Sequence, residues 1–163
     1  MNAPELDGIH HVKLPVSDLA RSREWYESRL GFVAAIEFIE QGRLAGVSMR
    51  HPNGGPELAL RLDPERAARA AGFDYFSIGV PSQEAMDALA LRLTGVGESH
   101  GGVHFATVGW ILPGLYDPDG HEVRFYTTEH HRGVPTGEVI RVENPREAAE
   151  ARERAVREGT RAG

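Results

Sequence analysis

The residues of this chain that could do chemistry sit at alternating positions of short apolar segments. In Asp117-Pro-Asp-Gly-His-Glu-Val-Arg-Phe-Tyr126, a turn at Asp119-Gly120 opens a strand in which Glu122, Arg124 and Tyr126 share one face and Val123 and Phe125 the other. Ile9 to Val16 alternates in the same way, His11, Lys13 and Pro15 lying opposite Val12, Leu14 and Val16. Glu57 and Arg61 from Glu57 to Leu62, with Tyr75 and Ser77 from Phe73 to Val80, complete a polar set drawn from four strands. Arg124, by a bidentate fork, and Lys13, as a point charge, suit a carboxylate, phosphate or phenolate. Tyr75 and Tyr126 offer stacking area with a hydrogen-bonding tip. His11, which titrates near neutrality, pairs with Glu122 as a candidate acid and base. Each residue also has a plainer reading: Arg124 in a structural ion pair with Glu57 or Glu122, His11 as a hydrogen-bonded wall residue, Tyr75 as filler.

The elements that must position these residues repeat. Ile9–Val16 reads as a strand; Ser17-Asp18 caps a helix carrying Leu19, Tyr26 and Leu30 on one face and ended by Gly31. Strands over Phe32–Glu40 and Arg43–His51 flank the Gln41-Gly42 turn, and Glu57–Leu62 follows Asn53-Gly54-Gly55. After an Ala-rich helical linker, Phe73–Val80, a helix capped by Ser82 and stopped by Gly95 and Gly97, and strands over Gly101–Thr107 and Trp110–Tyr116 lead to the closing strand. His11 superposes on Tyr75 and Glu57 on Glu122, so one βαβββ module occurs twice. The expected fold is α+β, two βαβββ modules forming a cupped mixed sheet with a shared concavity. The expected boundaries are residues 1–62 and 73–128 for the modules, 63–72 for the linker and 129–163 for a C-terminal extension. Asn144-Pro145-Arg146-Glu147 starts a helix in that extension whose apolar residues are mostly alanine, so a solvated surface helix is expected.

Composition narrows the function. A chain of 163 residues suits one domain-sized core, and 26% charged with 40% hydrophobic residues is globular rather than disordered. The net charge of −6, with no basic stripe, argues against nucleic acid. The chain has no cysteine, which excludes disulfides, thiolate metal ligands and a cysteine nucleophile. No stretch approaches the roughly 18 apolar residues of a membrane span, and Met1–Gly8 lacks the features of a secretory signal, so a cytoplasmic protein is expected.

His11-Val12, Val16-Ser17-Asp18-Leu19, Trp25-Tyr26, Leu30-Gly31-Phe32 and Asp117-Pro118-Asp119-Gly120 before a closing strand resemble the vicinal oxygen chelate superfamily of glyoxalases, bleomycin-resistance proteins and extradiol dioxygenases. The resemblance spans residues 8 to 128. It implies four metal-ligand positions, on the first and last strands of each module. Here those positions hold His11, Ala59, Tyr75 and Arg124, so one ligand of the usual type remains. Arg stays protonated and repels a cation, and a tight divalent site needs about three protein ligands. No cofactor is therefore expected. The remaining metal reading is a shifted site of His11, Glu57 and Glu122, each carboxylate standing about 6–7 Å along its strand from the implied position.

Two functions follow from the resemblance and the polar face. The first is a member of this family with a degenerate metal site that binds a small, anionic or aromatic molecule in the sheet cavity. The second is a lyase, isomerase or dioxygenase-like enzyme using an off-pattern metal or His11 and Glu122 as acid and base. A homodimer is expected, because two-fold pairing is the commonest assembly and open sheet edges favour it. His100 and His104 are expected near the cavity and His130-His131 on the surface. Pro113-Gly114 predicts a bulge.

Overall fold

The computed structural model describes residues 4–134, 139 and 141–161. By its contacts the chain forms two units, Met1–Phe73 with Asp117–His121, and Asp74–Tyr116 with Glu122–Gly163. Each is built on its own four-stranded sheet.

In the first unit β1 (His11–Val16) leads to α1 (Leu19–Leu30), β2 (Val33–Glu40), β3 (Arg43–Arg50), β4 (Glu57–Leu62) and α2 (Pro64–Ala70). The sheet order is β1-β4-β3-β2, with β1 parallel to β4 and the other pairs antiparallel. Asp18 is the cap of α1, its carboxylate accepting the Arg21 N–H at 3.0 Å, and Gly31 closes the helix at φ 77°. Gln41 and Gly42 both take positive φ, as a two-residue hairpin turn requires. One face of the sheet buries Leu14, Val16, Val47, Met49, Leu58 and Leu60, and α1, carrying Leu19, Trp25 and Tyr26, packs over β3 and β4.

The turn Asp117–His121 belongs to this unit and is anchored on α1. Asp119 accepts the Ser17 N–H at 3.1 Å, the Ser17 hydroxyl at 2.5 Å, the Ser22 hydroxyl at 3.2 Å and the Arg21 guanidinium at 3.2 Å. A carboxylate at a helix N-terminus also meets the positive end of the helix dipole. Asp117, fully buried, accepts the Tyr26 hydroxyl at 3.0 Å and the His121 Nδ1 proton at 2.9 Å through Oδ2. Its Oδ1 takes the N–H groups of Asp119 and His121. Burial first, and then the Asp117 charge, push the Tyr26 phenol well above the ordinary tyrosine range, so it remains the donor.

The second unit repeats the topology with β5 (Ser77–Val80), α3 (Gln83–Gly95), β6 (His104–Phe105), β7 (Trp110–Tyr116) and β8 (Glu122–Thr127), in the order β5-β8-β7-β6, followed by α4 (Pro145–Arg161). Val80, Met86, Leu93, Leu112, Leu115, Val123 and Phe125 form its core. Ser82 caps α3 as expected. The bulge appears where Pro113-Gly114 sits, as a break in register between Leu112 and Leu115 with Gly114 at φ 74°. α4 begins at the Asn144-Pro145 signal and is mostly exposed, tied down by an Arg152 guanidinium that donates to the Thr107 carbonyl at 2.6 Å.

Several boundaries differ from the sequence reading. The first strand starts at His11 rather than Ile9, the fifth at Ser77 rather than Phe73, and the closing strand at Glu122 rather than His121. The strand expected over Gly101–Thr107 shrinks to His104–Phe105, because Gly101 instead closes on the bulge, its N–H donating to the Pro113 carbonyl at 2.7 Å. Among the described residues no helix is long and apolar enough to cross a membrane.

Replacing Asp117 by alanine removes the acceptor that the buried Tyr26 phenol and His121 imidazole share, so Asp117→Ala is expected to cost on the order of 3 kcal/mol or more. Urea unfolding followed by far-UV circular dichroism measures this. A loss below about 1 kcal/mol contradicts the assigned network.

Candidate functional site

The face of the first sheet opposite α1 can be read in rows, because residues paired across strands point the same way. One row pairs His11 with Glu57, the next Lys13 with Ala59 and the third Pro15 with Arg61. The second row continues through Ser48 to Ile36, and the third through Gly46 to Phe38. Glu57 is held by a short hydrogen bond from the Ser48 hydroxyl. Arg61 donates to both oxygens of Glu40 at 2.6 Å. Its stem runs past Gly46, where an added Cβ would lie 3.7 Å from Arg61 Cδ, 3.7 Å from the Phe38 ring and 3.0 Å from the Leu60 carbonyl oxygen. His11 Nδ1 lies 3.0 Å from His10 Nδ1, the two rings edge to face. Lys13 is exposed and forms no ion pair among the described residues.

On the second sheet Ser77 pairs with Arg124, Gly79 with Tyr126, and Ile111 with Tyr126 from the other side. The Arg124 guanidinium meets Asp74 at 3.2 Å and Glu122 at 3.3 Å. Its Nε is buried without a hydrogen-bond partner. Glu122 also accepts the Gly114 N–H at 3.0 Å, which braces the bulge. The ion-pair reading of Arg124 thus finds Glu122 as one partner, while Asp74, which sequence reasoning passed over, is the other. Tyr75 lies just ahead of β5, outside the ladder.

Of the remaining histidines, His131 departs from expectation. His100 is committed to its own loop and α3, with Nε2 at 3.1 Å from the Ala90 carbonyl and Nδ1 accepting the Gly102 N–H. His104 Nε2 donates to the Gly101 carbonyl at 2.7 Å. His131 is no surface residue: it is 5% exposed, stacked on Phe105 at 3.5 Å and edge-on to Trp110 at 4.2 Å. Its Nε2 donates to the Ala106 carbonyl at 3.1 Å. Burial holds this imidazole below the ordinary histidine range. His130, its neighbour, is exposed.

Residues 8–125 match the model of the Glyoxalase/Bleomycin resistance protein/Dioxygenase superfamily. The chain belongs to this superfamily. It is 32% identical over 93 residues to a catechol-2,3-dioxygenase of Bacillus subtilis (strain 168), an alignment that covers 56% of the chain and only 33% of that enzyme. Among solved structures it is similar to TnmS3, an antibiotic binding protein from Streptomyces sp. CB03234, with a TM-score of 0.64 and 17% identity over 77% of this chain and 98% of that one. It is also similar to a lactoylglutathione lyase from Agrobacterium tumefaciens, with a TM-score of 0.61 and 17% identity over 77% and 96% of the two chains. At such identities these structural likenesses establish the fold.

The metal that many members of this superfamily carry does not suit the residues that stand at its usual positions here. His11 is a donor, Ala59 has none, Tyr75 is off the ladder and Arg124 is a cation held by two carboxylates. Among the described residues no three of His, Cys, Asp or Glu come together as a metal-binding group. Glu57 and Glu122, the carboxylates of the shifted alternative, are engaged by Ser48 and by Gly114 with Arg124 respectively.

A histidine buried in its neutral form favours the folded state above its unfolded value of about 6.5 and loses that contribution as the pH falls through and below it. The melting temperature of the natural protein is therefore expected to drop more between pH 7.5 and pH 5.5 than that of His131→Phe, which keeps the ring stack and cannot titrate. Equal slopes in a scanning fluorimetry series would remove His131 from the acid sensitivity.

Proposed function

We propose that this protein binds a small organic molecule, aromatic or anionic, on the polar faces of its sheets, with no divalent metal at the superfamily's usual position. The observation that carries the reading is Arg124. At a position where metal-dependent members place a ligand, this chain holds a guanidinium neutralised by Asp74 and Glu122. A cation so placed opposes a second one electrostatically, and the pair it forms occupies the carboxylates that a metal would need. The remaining face offers hydrogen-bonding groups, an exposed ammonium and aromatic area, the mixture typical of small-molecule sites.

The likeness to a catechol-2,3-dioxygenase favours a second reading. In it the protein is a lyase, isomerase or dioxygenase-like enzyme that uses an off-pattern metal, or His11 and Glu122 as acid and base. The metal-using form of this reading parts from binding on metal content, and the acid–base form parts from it on turnover, which His11→Ala would abolish with folding intact.

Elemental analysis of the purified, undialysed protein decides whether a metal is used. Well under one equivalent of iron, manganese, nickel or zinc per chain is expected for the natural protein. Arg124→Glu restores one ligand type, yet it is expected to stay metal-poor because Ala59 still offers no donor atom. Close to one equivalent in the natural protein overturns the binding reading in favour of the metalloenzyme.

A further inference from the structure

We infer that the open face of the first sheet takes a flat aromatic ring bearing a single carboxylate, with Lys13 as its counter-ion and Ile36 and Phe38 as its apolar edge. This rests on the binding reading above and adds the class of ligand and the cation that meets it.

The cations of the polar set differ in what they can still do. Arg124 faces two carboxylates. Arg61 has both ends of its fork on Glu40. A ligand anion at either would share a guanidinium whose charge is already offset. Lys13 is exposed and, among the described residues, has no such pair to break. Charge complementarity therefore directs a ligand carboxylate to Lys13, and one free ammonium suits one negative charge. Glu57, on the adjacent strand, disfavours a second.

The row that starts at Lys13 has the shape this ligand needs. It runs through Ala59 and Ser48 to Ile36, four strands at about 4.8 Å spacing, or roughly 14 Å from end to end. Its two middle residues are small, and the Ser48 hydroxyl is already turned to Glu57. One side of the row is walled by the Arg61 stem, which crosses at Gly46 beside the Phe38 ring. At the far end Ile36 is 49% exposed and Phe38 45% exposed, large apolar groups on an otherwise polar face. A ring laid over Ala59 and Ser48 covers that apolar surface and meets the Phe38 edge, while its carboxylate points to the ammonium.

Isothermal titration with three probes of one shape tests this: 1-naphthoate, 1-naphthalenemethanol and 1-naphthylmethylamine. The carboxylate is expected to bind about tenfold more tightly than the alcohol, the size of one charge-assisted contact, and the amine more weakly than both. Lys13→Met should erase the preference for the carboxylate and Lys13→Arg should keep it, with the circular dichroism spectrum unchanged in each. Phe38→Ser should weaken carboxylate and alcohol alike. Binding that ignores charge, or an undiminished preference in Lys13→Met, overturns the inference and leaves the binding reading standing. No binding of any of the three probes overturns both. Sedimentation of the same variants covers a further outcome. If Phe38→Ser dissociates an oligomer without changing naphthoate affinity, the apolar edge belongs to a contact between copies and the inference fails.

Discussion

Two carboxylates in the five-residue turn Asp117–His121 fix the helix of the first unit. Asp119 gathers four donors at the first turn of α1, and Asp117 reaches Tyr26 one turn further on. Tyr26 in turn stands edge-on to both Trp25 and Phe32, so the hydrogen bond made to the turn also sets the aromatic packing beneath it. With α1 held over β3 and β4, one face of that sheet is committed to the core. Alternation then decides which side chains remain on the other face, and those are the ones available for function.

Within each unit the pairing of charges is what distinguishes the polar residues. Arg61 and Arg124 look equivalent as residue types, and both turn out to be neutralised by carboxylates of their own unit. Gly46 lies beneath the Arg61 stem, and a side chain there would press on the Leu60 carbonyl oxygen at 3.0 Å. Lys13 is exposed and forms no ion pair among the described residues. Electrostatic character at this site is thus a property of pairing rather than of composition.

Membership of the superfamily explains the doubled βαβββ topology and leaves the chemistry open, because one scaffold of this kind carries several activities. The proposed metal-free reading rests on local features: an alanine, an off-ladder tyrosine and a paired arginine at three of the ligand positions that the resemblance implies. The C-terminal segment adds α4, a charged helix whose Arg152 guanidinium donates to the Thr107 carbonyl.

The sequence by itself determined the module, its repetition, the helix caps at Asp18 and Ser82, the bulge at Pro113-Gly114 and the alternation of faces, since each follows from local backbone chemistry or period. It also sufficed to see that Ala59 and Arg124 are poor metal ligands. Tertiary structure alone decided the partners. Asp74 lies far from Arg124 along the chain, Glu40 from Arg61, and Glu57 reaches Ser48 rather than an arginine, because these pairings depend on strand register and side-chain reach. His131 was misread as a surface residue for the same reason, as nothing adjacent in sequence tells it that Phe105 and Trp110 will enclose it. Ile36 and Phe38 acquired meaning only through the β2–β3 register, which turns them toward the polar face.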